Sequence, residues 1–507
     1  DRRATGVLEM GKMVGPASFR NPLQMLLLDR AFLEGYFSDR IDLQAEVSGN
    51  TLQVSVRNFS NETLYGDVEV TLPDQVGTDD PLVVPLDIPV NSTRIVNVRM
   101  QPGKDAMAHA NPLGITFKAK GKIKRTVAVL DLPPAISVQS LLYGHAPQIN
   151  YPVSVHNFTQ QSSFPVELQV FPVGKTRPKY KETLTFVAAP GSFQEQHFNL
   201  ELPPGDYEVK VMALGVESSS QLGVGKAEGK PRISEVDLNG DGISEYRMEN
   251  DSVQVTLLTT GARVIEYIVK SRNDNVLYKW WPNKAVDDRR PFRKRRFYPF
   301  GGFEDFLGQA SLETHQNYHA EITKSEGSYV QVKMWYDYFG NRMEKTYTLY
   351  GNSPLLEVRF TMDFQRYPET NMLGPQPILA LGEKHWTEDL FVAPEIGGLE
   401  EYRMKTDKYY GKAIPLKEGW NAGYDTQEDV SFVGAFPVDR PLFLHMWMNT
   451  DQNESSHHFY AEFQPWLHIE RRNISYFSYY MWATGGSWEK GVQELRDRNL
   501  ISITKKR

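Results

Sequence analysis

The sequence predicts a mostly β chain: a short N-terminal helix, two small β-sandwiches and one large antiparallel domain, in that order. Three observations predict it. Apolar and polar residues alternate at period two in segment after segment from residue 41 onward, as in Leu52-Gln-Val-Ser-Val and Val68-Glu-Val-Thr-Leu. Turn-forming residues interrupt these segments at short intervals, at Ser48-Gly-Asn, Pro73-Asp and Gln101-Pro-Gly. All 9 tryptophans lie between Trp280 and Trp488, so the last part of the chain is built differently from the first.

Residues 1–40 carry the helix. Asn21 stands at a capping position, Pro22 fits the first helical turn, and Leu23, Met25, Leu26, Leu27, Leu28, Phe32 and Leu33 supply an apolar side. The run from Met25 to Leu28 is far shorter than the ~18 apolar residues of a membrane span, and the visible chain contains no such span. The chain begins at Asp1, which reads as a processed or truncated start.

Residues 41–134 form the first predicted sandwich and residues 135–225 the second. The two echo each other, since Val54-Ser-Val-Arg-Asn58-Phe-Ser parallels Val153-Ser-Val-His-Asn157-Phe-Thr and a strand follows each. This pattern resembles the CARDB-type, immunoglobulin-like sandwich modules of prokaryotic surface proteins. The resemblance implies spacers and interaction surfaces. The Ser- and Gly-rich stretch from Glu217 to Pro231 reads as a flexible linker to the domain at 226–507.

Composition narrows the function classes. A hydrophobic fraction of 40% and an aromatic fraction of 12% fit a folded chain of several domains. The net charge of -7 argues against a general nucleic-acid binder, which needs a basic face. The absence of cysteine excludes disulfides, zinc–thiolate sites and cysteine nucleophiles, and points to a bacterial or archaeal source, with an archaeal one preferred. Sequons occur at Asn58, Asn61, Asn91, Asn157, Asn250, Asn453 and Asn473, against roughly three expected by chance. They predict N-linked glycans and an extracellular, cell-surface location.

The segment Asp237-Leu-Asn239-Gly-Asp241-Gly242-Ile243-Ser-Glu245 alternates oxygen donors around a glycine. Asp237, Asn239, Asp241, the Ile243 carbonyl and Glu245 are candidate ligands for a structural calcium ion, which takes six to eight hard oxygens. Met248 at the twelfth position departs from an EF-hand, and the loop resembles the short calcium loops of extracellular repeat proteins. A metal-free Asx-rich turn is the other reading.

The large domain mixes aromatics with polar residues. Sugar rings stack their C–H faces on flat aromatics while their hydroxyls need polar partners, so Trp280, Trp281, Trp386, Trp420 and Tyr424 are candidate carbohydrate-binding residues. Long strands follow one another from Tyr329, Arg342 and Leu355, with one wet face. With the Val253–Val269 segment, they resemble the galactose-mutarotase-like supersandwich over about 232–500. That resemblance implies carbohydrate handling and assigns no catalytic residue. Read from the residues alone, Glu304 and Asp305 beside Gly301-Gly302, and Glu313 with His315, are the candidates for acid/base work. The block Arg289-Arg290-Pro-Phe-Arg293-Lys294-Arg295-Arg296 is either a solvated loop or an anion-binding rim. A closing helix has Ser487 as its cap and Trp488, Val492 and Leu495 as its inner face.

Three functions fit. The first is a surface glycoprotein that binds carbohydrate or packs against other surface proteins through its C-terminal domain. The second is a glycan-processing hydrolase, lyase or epimerase, or an accessory part of one. The third is a self-assembling subunit of a surface layer or extracellular filament.

Overall fold

Period-two alternation is borne out as strands with one buried and one open face. In Thr51–Asn58, Leu52, Val54 and Val56 are buried while Gln53, Ser55 and Arg57 are not. The computed structural model describes residues 40–238, 240, 242–280, 300–307, 314, 316–338, 340–364, 372–381, 388–403, 410–439, 441–451, 458–470 and 472–504. The predicted N-terminal helix lies outside them, as do Asn239, Asp241, Trp281, Glu313, His315, Trp386, Asn453 and the basic block at 289–296.

The chain divides into two compact units, one ending at Leu132 and one starting at Pro133. The first is a sandwich. Ile41–Ser48, Thr51–Asn58 and Thr93–Arg99 form one sheet, and Val83–Ile88, Leu64–Thr71, Ala110–Ala119 and Lys122–Asp131 form the other. Val54 and Val56 on one sheet and Val68, Leu113, Ile115 and Phe117 on the other make its interior.

The second unit opens with a sandwich of similar plan. Ile136–Val138, Gln148–His156 and Phe193–Glu201 form its smaller sheet. Leu141–His145, Val216–Gly225, Gly205–Ala213, Ser163–Pro172 and Tyr180–Val187 form the larger. The expected linker is therefore corrected. Glu217 to Gly225 is a strand, antiparallel to Gly205–Ala213 and parallel to Leu141–His145. Its small residues answer to close packing. A Cβ on Gly223 would stand 2.0 Å from the Arg498 carbonyl oxygen, and one on Gly225 would stand 1.9 Å from the Tyr143 hydroxyl. Farther on, a Cβ on Gly229 would stand 2.3 Å from the Gly351 backbone. Composition suggested a tether where the fold needs narrow residues.

The same unit continues into two large antiparallel sheets packed face to face. A 10-stranded sheet runs from Arg232–Val236 through Arg263–Val269, Phe303–Leu307, Met372–Leu379 and His458–His468 to Pro441–Asp451 and Tyr410–Ile414. A 9-stranded sheet contains His319–Lys324, Tyr329–Tyr338, Asn341–Tyr350, Leu356–Asp363, Ile474–Gly485, Val430–Ala435, Trp420–Asp425, Leu390–Glu395 and Gly398–Arg403. Tyr267, Phe303, Tyr347, Phe360, Phe463 and Tyr479 fill the space between them. The closing helix, Trp488–Arg496, buries Trp488, Val492 and Leu495, and Ser487 occupies its N-cap position without a side-chain bond.

A polar seam joins the second sandwich to these sheets. The Tyr480 hydroxyl donates to the Leu141 carbonyl at 3.1 Å, the Tyr350 hydroxyl to that of Tyr143 at 3.0 Å, and Gln221 Nε2 to Asn499 Oδ1 at 2.9 Å. Leu141 and Tyr143 also share an apolar cluster with Trp482, Trp488 and Leu495.

Four predicted glycan sites are corrected by their packing. Asn58 and Asn157 are buried in equivalent places, one in each sandwich. Asn58 Oδ1 accepts from the Ser60 N–H at 2.8 Å and hydroxyl at 2.6 Å, and Asn157 Oδ1 from those of Thr159 at 3.0 and 2.8 Å. Asn58 Nδ2 donates to the carbonyls of Glu62 and Ile88, and Asn157 Nδ2 to those of Gln161 and Ala188. Here Asn-x-Ser/Thr is an Asx turn that pins two loops, and the shared motif echoes this geometry. Asn250 Nδ2 donates to the Tyr350 and Ser353 carbonyls, and Asn473 Nδ2 to that of Pro134. A glycan on any of these four nitrogens is incompatible with the folded packing. Asn61 and Asn91 are exposed.

Candidate functional site

Successive residues of a strand point to opposite faces, and this separates Glu304 from Asp305. Asp305 points between the two large sheets and is ion-paired there with Lys345. Lys345 Nζ also donates to the Gly261 and Ala262 carbonyls at 2.7 and 3.0 Å. Burial pushes the Asp305 carboxyl up, against the pull of Lys345. Asp305 is a tie across the core, which corrects its reading as an acid/base group.

Glu304 lies on the other face of the 10-stranded sheet, and a row of polar side chains extends from it. Glu304 pairs with Gln376, and His445 with Gln464 on the next two strands. Glu462 and Trp447 stand opposite one another one row away. Glu304 is held by the Gly301 N–H at 3.2 Å and lies 3.5 Å from Arg263 Nη2. Gln464 Nε2 donates to Glu462 Oε2 at 2.5 Å, and Trp466 Nε1 to Gln464 Oε1 at 3.2 Å. Gly374 makes room for Trp466, since a Cβ there would stand 3.0 Å from the indole. The row is buried at Glu304, Gln376, Glu462 and Gln464, and half-buried at His445 and Trp447.

The electrostatics set two carboxylates apart. Glu304 has Arg263 beside it, whereas burial and the nearby Glu304 charge push the Glu462 carboxyl up to about 8. Burial lowers His445, with the Gln464 bond opposing it. A neutral Glu462 carboxyl can donate a hydrogen bond, and it stands beside two indoles.

The other predicted site residues are elsewhere. Trp420 is buried and stacks on Trp488 at 5.5 Å, with Nε1 donating to Glu418 at 2.6 Å, so it docks the helix and is not a binding surface. Tyr424 is half-buried, its hydroxyl 3.0 Å from Asp429 Oδ1. Trp280 lies on the short strand Lys279–Trp280, paired with Phe300–Gly301. In the acidic loop, Asp237 accepts from the Gly240 and Gly242 N–H groups at 2.7 and 3.0 Å, and Glu245 from that of Leu238 at 2.8 Å. Both glycines have positive φ, as this tight turn requires.

Of the candidate acid/base residues, Glu304 alone reaches this face among the described residues. Glu462, Gln464, Trp466, Gln376 and His445 were not singled out from the sequence. A signal for three of them exists, because Glu462, Gln464 and Trp466 alternate with Ala461, Phe463 and Leu467.

No protein-family model and no curated protein matches the sequence. Among solved structures, part of the chain is similar to a TPR-domain containing protein from Parabacteroides distasonis, with 14% identity, 51% of this chain and 56% of that one covered, and a TM-score of 0.35. A galactose mutarotase-like protein from Lactobacillus casei gives 12% identity, coverage of 47% and 99%, and a TM-score of 0.33. An alpha-N-acetylgalactosaminidase from Bifidobacterium bifidum gives 8% identity, coverage of 49% and 38%, and a TM-score of 0.35.

Proposed function

We propose that this is a carbohydrate-recognition protein of the cell surface, which takes its glycan on the face of the 10-stranded sheet that carries Glu304 and Glu462. The observation that carries the reading is the convergence of Glu304, Glu462, Gln464, His445 and Trp447 on that face, where hydroxyl partners and a flat apolar ring stand together. The exposed sequons at Asn61 and Asn91 support an extracellular location, and the acidic loop at 237–245 supports structural calcium. A glycan-array screen followed by calorimetry on the hits tests it. Glu462→Gln and Trp447→Ala should each weaken binding of a hit by roughly tenfold. An array with no hits, or variants that bind like the parent, overturns it.

One observation favours a second reading, in which the same face transforms the sugar. Burial raises the Glu462 carboxyl, which suits it to act as an acid, and Glu304 stands on the same face 3.5 Å from the Arg263 guanidinium. A product and anomer assay on bound glycans decides it, with Glu462→Gln abolishing any turnover.

A further inference from the structure

A second site lies within the second unit, where the second sandwich meets the outer face of the 9-stranded sheet. A cleft of about 490 Å³ opens there, within the roughly 300–1,000 Å³ usual for ligand pockets. Its floor is built by register. Trp335 pairs with Glu344, Glu344 with Thr361, and Thr361 with Tyr476, in one row across four strands. Lys333, Thr346 and Arg359 form the next row. The strand Phe193–Glu201 supplies the opposite wall through Glu195 and His197.

Two acids of the cleft, Glu195 and Glu357, are already engaged. Glu195 accepts from the Tyr476 hydroxyl at 2.7 Å and lies 3.6 Å from His197. Glu357 accepts from Arg359 at 3.0 Å and Ser478 at 2.9 Å. Two cations are not so engaged. Lys333 and Arg342 each stay 3.9 Å from Glu344 Oε2, beyond hydrogen-bond distance, with side chains 31% and 43% exposed. Both lie over the Trp335 ring, at 5.4 and 5.2 Å from its centroid, which orients them without using their N–H donors. Burial raises the Glu344 carboxyl, against the pull of these two cations. Asp363 also lines the cleft, opposite Arg342 in register, so the N–H donors of Lys333 and Arg342 are available beside two carboxylates and among threonine hydroxyls that suit a polyol.

We propose that this cleft binds an acidic oligosaccharide, whose carboxylate or sulfate is held by Lys333 and Arg342. The site is separate from the face that carries Glu304 and does not rest on its function. Calorimetry of the full chain with trigalacturonate, a chondroitin sulfate tetrasaccharide and a neutral trisaccharide tests it. At least one acidic probe should bind, more weakly as salt rises, and the neutral one should not. Which acid binds identifies the group as uronate or sulfate. Lys333→Gln combined with Arg342→Gln should weaken binding by roughly tenfold or more. Glu344→Gln removes a repelling charge and should tighten it by roughly threefold, a gain that misfolding does not mimic. Asn61→Ala, at an exposed position of the first sandwich, should leave it unchanged. Failure of both acids to bind, or binding indifferent to the changes at 333, 342 and 344, overturns the proposal.

Discussion

Asp389 stands opposite Asp425, one step beyond the paired residues Leu390 and Tyr424, and both carboxylates are buried. Asp425 Oδ1 accepts from the Gln427 and Glu428 N–H groups. Asp389 Oδ1 and Asp425 Oδ2 have no hydrogen-bond partner among the described residues. Burial, then Asp425 and Asp274, push the Asp389 carboxyl up to about 9. The folded state therefore keeps a proton that the unfolded chain releases near its ordinary value of about 3.9.

That pair makes stability fall as pH rises from about 4 to about 9, with a limiting slope of about 1.4 kcal/mol per pH unit. Asp389→Asn should flatten the profile and raise stability at pH 8. Urea unfolding of both proteins at pH 5 and pH 8 checks it, and an unchanged difference between the two pH values counts against the pair.

Asn157→Ala should destabilise by about 2 kcal/mol, because it strands the Gln161 and Ala188 carbonyls and opens the turn at Thr159. Asn61→Ala, at an exposed position, should change stability by less than about 0.5 kcal/mol. Denaturant titrations of the two variants give the contrast. Intact-mass and glycopeptide analysis of protein from a glycosylating host should find no sugar on Asn58, Asn157, Asn250 or Asn473.

Lys345→Met leaves Asp305 buried without its cation and should destabilise by about 3–5 kcal/mol. Adding Asp305→Leu should restore a large part of that loss. Equal destabilisation in the single and double variants would show that the pair does not act as a unit.

Gly223→Ala should destabilise by about 1–3 kcal/mol or more, since its methyl would meet the Arg498 backbone at 2.0 Å. Gly215→Ala has open space at its Cβ but a positive φ of 77, so its loss should be the smaller. Melting temperatures rank the two, and the reverse order refutes the account of the strand at 216–225.

Strands, turns and the closing helix were legible because alternation and helical spacing reflect burial directly. Trp488, Val492 and Leu495 show it. The sites were less legible, for physical reasons. Glu304 and Asp305 are neighbours in sequence, yet a strand sends them to opposite faces, one toward Arg263 and one toward Lys345. Asn-x-Ser/Thr serves both as a glycan acceptor and as an Asx turn, and burial alone separates Asn157 from Asn61. Lys333, Arg342 and Arg359 looked like an ordinary wet face. Their cleft exists only once Glu195, far away in sequence, is brought over them.

The seam at Leu141, Tyr143 and Gln221 bears on how the chain can be divided for expression. A fragment boundary between Leu132 and Pro133 follows the division into compact units. A boundary at Gly225 would look natural from composition, but it would bare the Tyr143, Tyr350 and Tyr480 contacts on both products. The second sandwich is best produced together with everything that follows it, as a single polypeptide.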